Sequence, residues 1–237
     1  GSRRLKPAAT RSNYNCFIMI GKIMWRTNVA KMLGYVVALL GLLSGVGWVL
    51  GIDWLKNLLP PMVTAISFVP SGIILVLVAK IAAKEDCYGF SAVTLPILSL
   101  LLLLVMSTLF FSIIVDVNFG IVDIFAWGRS KQIEEMRPIK FLFPSIATII
   151  DFTLVASAGL FGAASFCRKK SFLFAIGMFV AVIGAYALIG HITNLPLLYY
   201  YIPGKYPPVS IGTAALFVIW GLGMMFCQWG KNGTNSK

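Results

Sequence analysis

The sequence predicts an all-α, polytopic membrane protein. It has six transmembrane helices arranged as three repeated helical hairpins, with both termini cytoplasmic. Three observations carry that reading. First, 59% of the 237 residues are hydrophobic, only 12% are charged, and the mean hydropathy is +0.88. An ordinary soluble domain carries about 25% charged residues, and a fold of this length cannot hide so much apolar surface from water. A soluble enzyme, a disordered chain and a free nucleic-acid binder are thereby excluded. Second, the apolar residues gather into six continuous stretches of about 18–26 residues, where roughly 20 are needed to cross about 30 Å of hydrocarbon. Continuous apolarity is the pattern of helices and not the alternation of a barrel. Third, the net charge of +12 is unevenly distributed along the chain.

The elements follow in order. The chain opens with Gly1-Ser2, read as a cleavage scar, so a longer parent protein is expected. Residues 1–31 form a basic tail. Within it, Cys16–Trp25 is too short and too interrupted by Lys22 to span, and is expected as an interfacial helix on anionic lipid. The spans are expected near Met32–Gly51, Met62–Lys80, Ala92–Val115, Phe141–Phe166, Phe172–Gly190 and Ile211–Gln228, so that residues 32–228 make up the membrane domain. A short tail, 229–237, follows.

Lys and Arg set the orientation. Fourteen fall in the two tails and in the second and fourth connections, and six in the remaining connections: Lys56, Arg129, Lys131, Arg137, Lys140 and Lys205. The richer side is cytoplasmic by the positive-inside rule, in a cell (plasma or inner) membrane. With Glu85 and Asp86 as its only acids, that side carries +12; the outer side is near neutrality, and Asp151 lies within a span. All four cysteines (Cys16, Cys87, Cys167 and Cys227) fall at cytoplasmic ends, where free thiols are expected. For the same reason the sequon at Asn232 is discounted as a glycosylation site.

The even-numbered spans share a pattern, Pro followed by Thr-x-x-x-Phe-x-x-x-Gly/Ala. It is carried by Pro61, Thr64, Phe68 and Gly72, by Pro144, Thr148, Phe152 and Ala156, and by Pro208, Thr213, Phe217 and Gly221. A Gly ends or follows each preceding odd span: Gly51, Gly120 and Gly190. Positions i, i+4 and i+8 fall on one helix stripe. The stripe is first a packing device, because small residues let helices approach closely and Thr can bond a carbonyl within lipid. Thr64, Phe68, Gly72, Phe152, Thr213, Phe217 and Gly221 are therefore expected at helix contacts.

The run Gly47-Trp48, Gly51-Ile52, Leu55, Pro61-Met62, Thr64-Ala65, Phe68 and Gly72, repeated in part at Thr213-Ala214, Phe217 and Gly221, resembles a known family. It is similar to the N-terminal, multi-helix membrane sensor regions (MASE-like) of bacterial and archaeal histidine kinases and diguanylate cyclases. The resemblance covers most of residues 32–228. It implies signal transduction, including two-component signalling, with a PAS, kinase or cyclase output following the last span.

Asp151 is the sharpest chemical feature. A charged carboxylate within a span costs about 2.5–3.5 kcal/mol on insertion scales, so it is expected to face the interior, be paired, or be protonated. Its counterparts in the repeat are Ser67 and Leu216. Candidate partners are the threonines, Tyr186, Asp116 and His191. His191, the only histidine, reads either as a polar cap or as a group titrating near neutrality. Tyr199, Tyr200, Tyr201 and Tyr206 read as an interfacial belt or as a pocket wall. The charged connection 119–140 reads as a solvated loop or a capping surface helix. A ligand site is accordingly sought at Asp151, Thr148, His191, Tyr199, Tyr200, Tyr201 and Asp116.

No Walker loop, nucleophile elbow or HExxH motif is present. One His cannot supply a bis-His haem, and no spacing suggests zinc. No enzyme activity, metal or cofactor is expected. The expected function is a sensory membrane domain that detects a small apolar ligand or a membrane state in its outer half and relays it inward. A small transporter or channel using Asp151 is the alternative, and a scaffold packing on partner helices through Gly41-x-x-x-Gly45 is the third reading. Expected partners are the lipid bilayer and a cytoplasmic output domain or protein, with a homodimer as one open assembly and no nucleic acid.

Overall fold

The computed structural model describes residues 8–83, 85, 89–115, 143–164, 169–199 and 207–228, and for residues 8–23 and 169 the backbone alone. The described residues form seven helices and no strand: α1 (Ala8–Leu50), α2 (Asp53–Lys56), α3 (Met62–Ala83), α4 (Phe90–Val115), α5 (Ile146–Ala163), α6 (Lys169–Thr193) and α7 (Ile211–Gln228). All but α2 are long and apolar enough to cross a membrane. The protein is therefore an integral, multi-pass membrane protein in contact with lipid.

Helix α1 runs unbroken for 43 residues and contains the first span. The expected tail segment Cys16–Trp25 lies in the same helix. Charged Lys31 is accommodated in this helix because it pairs with Glu85, beyond the end of α3. The fourth span is shorter than expected. Ser145 caps α5, accepting from the Thr148 N–H at 3.2 Å, and the helix ends at Ala163. Pro70 and Pro96 lie inside α3 and α4 without ending them, as lipid-embedded helices allow.

Close approaches between glycines give the register. A Cβ on Gly72 would come 2.8 Å from the Ala38 Cβ, and one on Gly34 would meet the Gly72 carbonyl oxygen at 2.8 Å. Further along, a Cβ on Gly41 would meet the Phe68 Cβ at 2.8 Å and the Ala65 carbonyl at 2.9 Å. Residue numbers rise on one helix as they fall on the other, so α1 and α3 pack antiparallel. The pair α6–α7 makes the same contacts. A Cβ on Gly177 would meet the Gly221 carbonyl at 3.0 Å, and one on Gly184 would meet the Ala214 carbonyl at 2.7 Å and the Phe217 Cβ at 3.1 Å. Gly41 is thus spent on a helix of its own chain; the Gly41-x-x-x-Gly45 motif does not present it to a partner. Helix α4 also packs antiparallel on α5, with Gly159 against Ser99 and Gly162 against Leu95.

Helices α3, α5 and α7 occupy the inside. About half or more of their span residues are buried, against about a third or fewer for α1, α4 and α6. Across hairpins, α1 packs on α7, α4 on α3, and α6 on α5. One end of the bundle carries Lys31, Lys80 and Lys170 and is called here the basic end; the opposite end carries residues 51–61, 194–199 and 207–210.

At the opposite end the first and third hairpins turn alike. The Ile52 N–H donates to the Gly47 carbonyl (2.9 Å), and the Leu195 N–H donates to the Gly190 carbonyl (3.0 Å). Gly47 touches Leu55, and Gly190 touches Leu198. The left-handed residues are Gly51 (φ +79°) and Asn194 (φ +54°). Gly190 therefore corresponds to Gly47, and Asn194 does the work of Gly51; Asn tolerates this conformation better than most residues. Gly120 lies outside the described residues.

Replacing Gly72 or Gly221 with Leu should separate α1 from α3 or α6 from α7, at a cost of about 1–3 kcal/mol or more. Thermal unfolding in detergent should show a clearly lowered midpoint for each variant. A midpoint equal to that of the parent would contradict these close approaches.

Candidate functional site

Three phenylalanines of the repeated stripe meet at one point. The rings of Phe68 (α3), Phe152 (α5) and Phe217 (α7) lie with centroids 4.9, 5.0 and 4.9 Å apart, at interplanar angles of 65°, 50° and 66°. All three are fully buried. Tilted and edge-to-face pairs suit the ring quadrupoles and are worth about 0.5–1.5 kcal/mol each. Gly72 and Gly221 sit one turn further along the same stripes. There they face α1 and α6 within their own hairpins.

One turn before each Phe lies a buried Thr. The Thr213 hydroxyl accepts from Ser210 Oγ (2.8 Å), and the Thr213 N–H donates to the same oxygen (3.2 Å). Thr148 is arranged alike, its hydroxyl 2.8 Å from Ser145 Oγ. At Thr64 the residue three positions earlier is Pro61, which has no hydroxyl. Only the backbone bond remains, from the Thr64 N–H to the Pro61 carbonyl (3.0 Å), and Thr64 Oγ1 is buried without a partner. The sequence difference explains the orphan.

Asp151 is 1% exposed, and its Oδ1 has no hydrogen-bond partner among the described residues. It immediately precedes Phe152, so along α5 it lies within one residue of the aromatic cluster. The contrast with its neighbours is chemical. Ser71, Ser99, Thr153 and Ser157 each donate to the carbonyl four residues earlier (2.6–2.8 Å). Asp151 Oδ1 makes no such bond. Together with Trp48 Nε1, Thr64 Oγ1 and Asp151 Oδ1 are the orphaned buried polar atoms of the described side chains.

The other expected site residues fall elsewhere. His191 Nε2 lies 2.7 Å from the Val209 carbonyl oxygen, and the imidazole stacks on Tyr199 (4.5 Å, 7°). A carbonyl only accepts, so Nε2 carries the proton. The Val209 N–H donates to the Tyr199 carbonyl (3.0 Å), closing the strap between α6 and α7. This is a cap on the third turn, occupied by its own chain. Tyr186 is half exposed on α6. Tyr200, Tyr201, Tyr206, Asp116 and the 119–140 connection lie outside the described residues, as do Cys87 and Cys167. Cys227 is a free, partly buried thiol near the basic end. Among the described residues no three His, Cys, Asp or Glu side chains come together.

Sequence reasoning passed over Ser145 and Ser210, although Ser three residues before a helix-starting Thr is a legible capping signal. It also passed over Trp220, whose indole N–H donates to the Ser71 carbonyl (2.8 Å) and ties α7 to α3. Comparison with protein-family models, with curated proteins and with solved structures returns no match for this chain.

Removing an unpartnered hydroxyl costs little, whereas removing a partnered one costs about 0.5–1.5 kcal/mol. Thr64→Val should therefore leave the unfolding midpoint in detergent unchanged, and Thr213→Val should lower it. Equal losses in the two variants would contradict the arrangement described.

Proposed function

We propose that this membrane domain is a sensor. A small apolar ligand or a change in membrane state acts near Asp151, and the response travels along the spans to the basic end. The observation that carries this reading is a buried carboxylate oxygen with no partner, at the level where the three inner helices meet. An unmet group of that kind is costly in a stable fold and is a functional candidate by default within a membrane. It also breaks the likeness of the three hairpins, since Ser67 and Leu216 occupy the matching positions. A single asymmetric group can bias two packings of similar energy.

The basic end is read as cytoplasmic from its Lys and Arg excess, and a signalling output is expected there. The family resemblance noted above agrees with an output of kinase or cyclase type. Asp151 is the single ionisable side chain among the buried polar residues described. A transport path is expected to show more such groups, so sensing is favoured over transport.

The test is a fusion of a cyclase reporter after Gln228, reconstituted in phosphatidylcholine bilayers of short and long acyl chains. Output should differ between the two bilayers, and Asp151→Asn should abolish the difference while membrane insertion is retained. An undiminished response in Asp151→Asn would contradict the assignment, and ion flux lost in that variant would favour a transporter.

A further inference from the structure

We propose that the groove between α1, α3 and α4 holds one acyl chain of a bilayer lipid. Helix α3 forms its floor, with Pro70 and Ile73; α1 and α4 form its walls. Its volume is about 590 Å³, within the roughly 300–1,000 Å³ of small-molecule sites, and its lining is apolar apart from Ser67. Water has no polar partners there, and an empty space of this size would forfeit the contacts of its walls.

The groove is continuous with the lipid-facing surface, because its rims, Leu42, Val46 and Leu101, are exposed. Its dimensions select the occupant. Along α1 the lining runs from Gly41 to the helix end at Leu50. At 1.5 Å per residue that is about 14 Å, close to one leaflet of a roughly 30 Å hydrocarbon core. Spread over that length, the volume gives a mean cross-section of about 40 Å². A groove of that length and width, open along its side to the hydrocarbon, suits a single extended hydrocarbon chain.

Gly45 adds an independent observation. Gly34, Gly41 and Gly47 are each required by a close neighbour, since a Cβ there would clash at 2.8 Å or nearer. A Cβ on Gly45 would meet only Ile66 Cγ1, at an ordinary 3.6 Å. Helix packing does not demand this glycine, yet a larger side chain would enter the groove. The matching position of the third hairpin, four residues after Gly184, is Leu188, partly buried against the cluster of Ala147, Ala187, Val209 and Ala214. The chain itself shows that this helix position accepts leucine. In the first hairpin the glycine keeps the groove open.

The site stands on the groove and does not depend on the sensing role. The test uses the full chain in phosphatidylcholine vesicles doped with a phosphatidylcholine bearing a diazirine on one acyl chain, with labelled residues mapped by mass spectrometry after irradiation. Labelling at Leu42, Val46 and Leu101 should exceed that at Phe179 and Val182, comparably exposed residues of α6. Gly45→Leu should abolish the excess and leave labelling of α6 unchanged, while Gly45→Ala should retain it. The proposal is overturned by no excess in the parent chain, by an excess that survives Gly45→Leu, or by groove labelling below that of α6 together with chain-to-chain cross-links, which would mark a second copy on this face. The parent-chain comparison decides the matter even if the leucine variant does not insert.

Discussion

The structure depends on the contact of Phe68, Phe152 and Phe217. Inside a bilayer, apolar side chains gain nothing by leaving lipid for the protein interior, because the two are equally apolar. Association rests on close packing and on hydrogen bonds. Three interlocked rings give α3, α5 and α7 a single common point, and the small residues of the same stripes let α1 and α6 close on α3 and α7. Emptying one ring site loses contacts that lipid does not restore. For a hole of about 100–150 Å³ the cavity cost is on the order of 2–4 kcal/mol.

Around that point the polar groups divide into two kinds. Most buried hydroxyls are satisfied by their own helix or by a capping serine, as at Ser99, Thr148 and Thr213. They let the helices keep polar side chains at membrane depth without cost to packing. Thr64 and Asp151 differ. Proline stands where a serine would complete Thr64, and no donor reaches one oxygen of Asp151. These are the places where the fold leaves chemistry unspent, and both lie close to the contact that holds the inner helices together.

Much of this was legible in the residues. Six apolar runs become six spans because length and continuity are what a bilayer demands. The Thr-x-x-x-Phe spacing marks the stripe that meets at the centre, since positions four apart share a helix face. Other features were not legible, for stated reasons. The pairing of Lys31 is not legible, because its partner Glu85 is distant in sequence. The sequence matches Gly190 to Gly51, whereas Asn194 takes the left-handed turn and Gly190 corresponds to Gly47. The small-residue pair Gly41 and Gly45 does not reveal which helix it meets; Gly41 meets α3 of its own chain, and Gly45 borders the groove. Sidedness of a carboxylate within an all-apolar helix has no periodic signal either, so the burial of Asp151 with one oxygen unmet had to come from packing.

In the proposed sensing role, Asp151 sets the balance between arrangements of the spans at the basic end. Spin labels at Met24 on α1 and Phe90 on α4, both exposed near that end, allow the separation to be measured by pulsed electron paramagnetic resonance in lipid nanodiscs. Asp151→Asn should change the distance distribution, either by shifting it or by altering the weights of two populations. A distribution identical to that of the parent chain would contradict it.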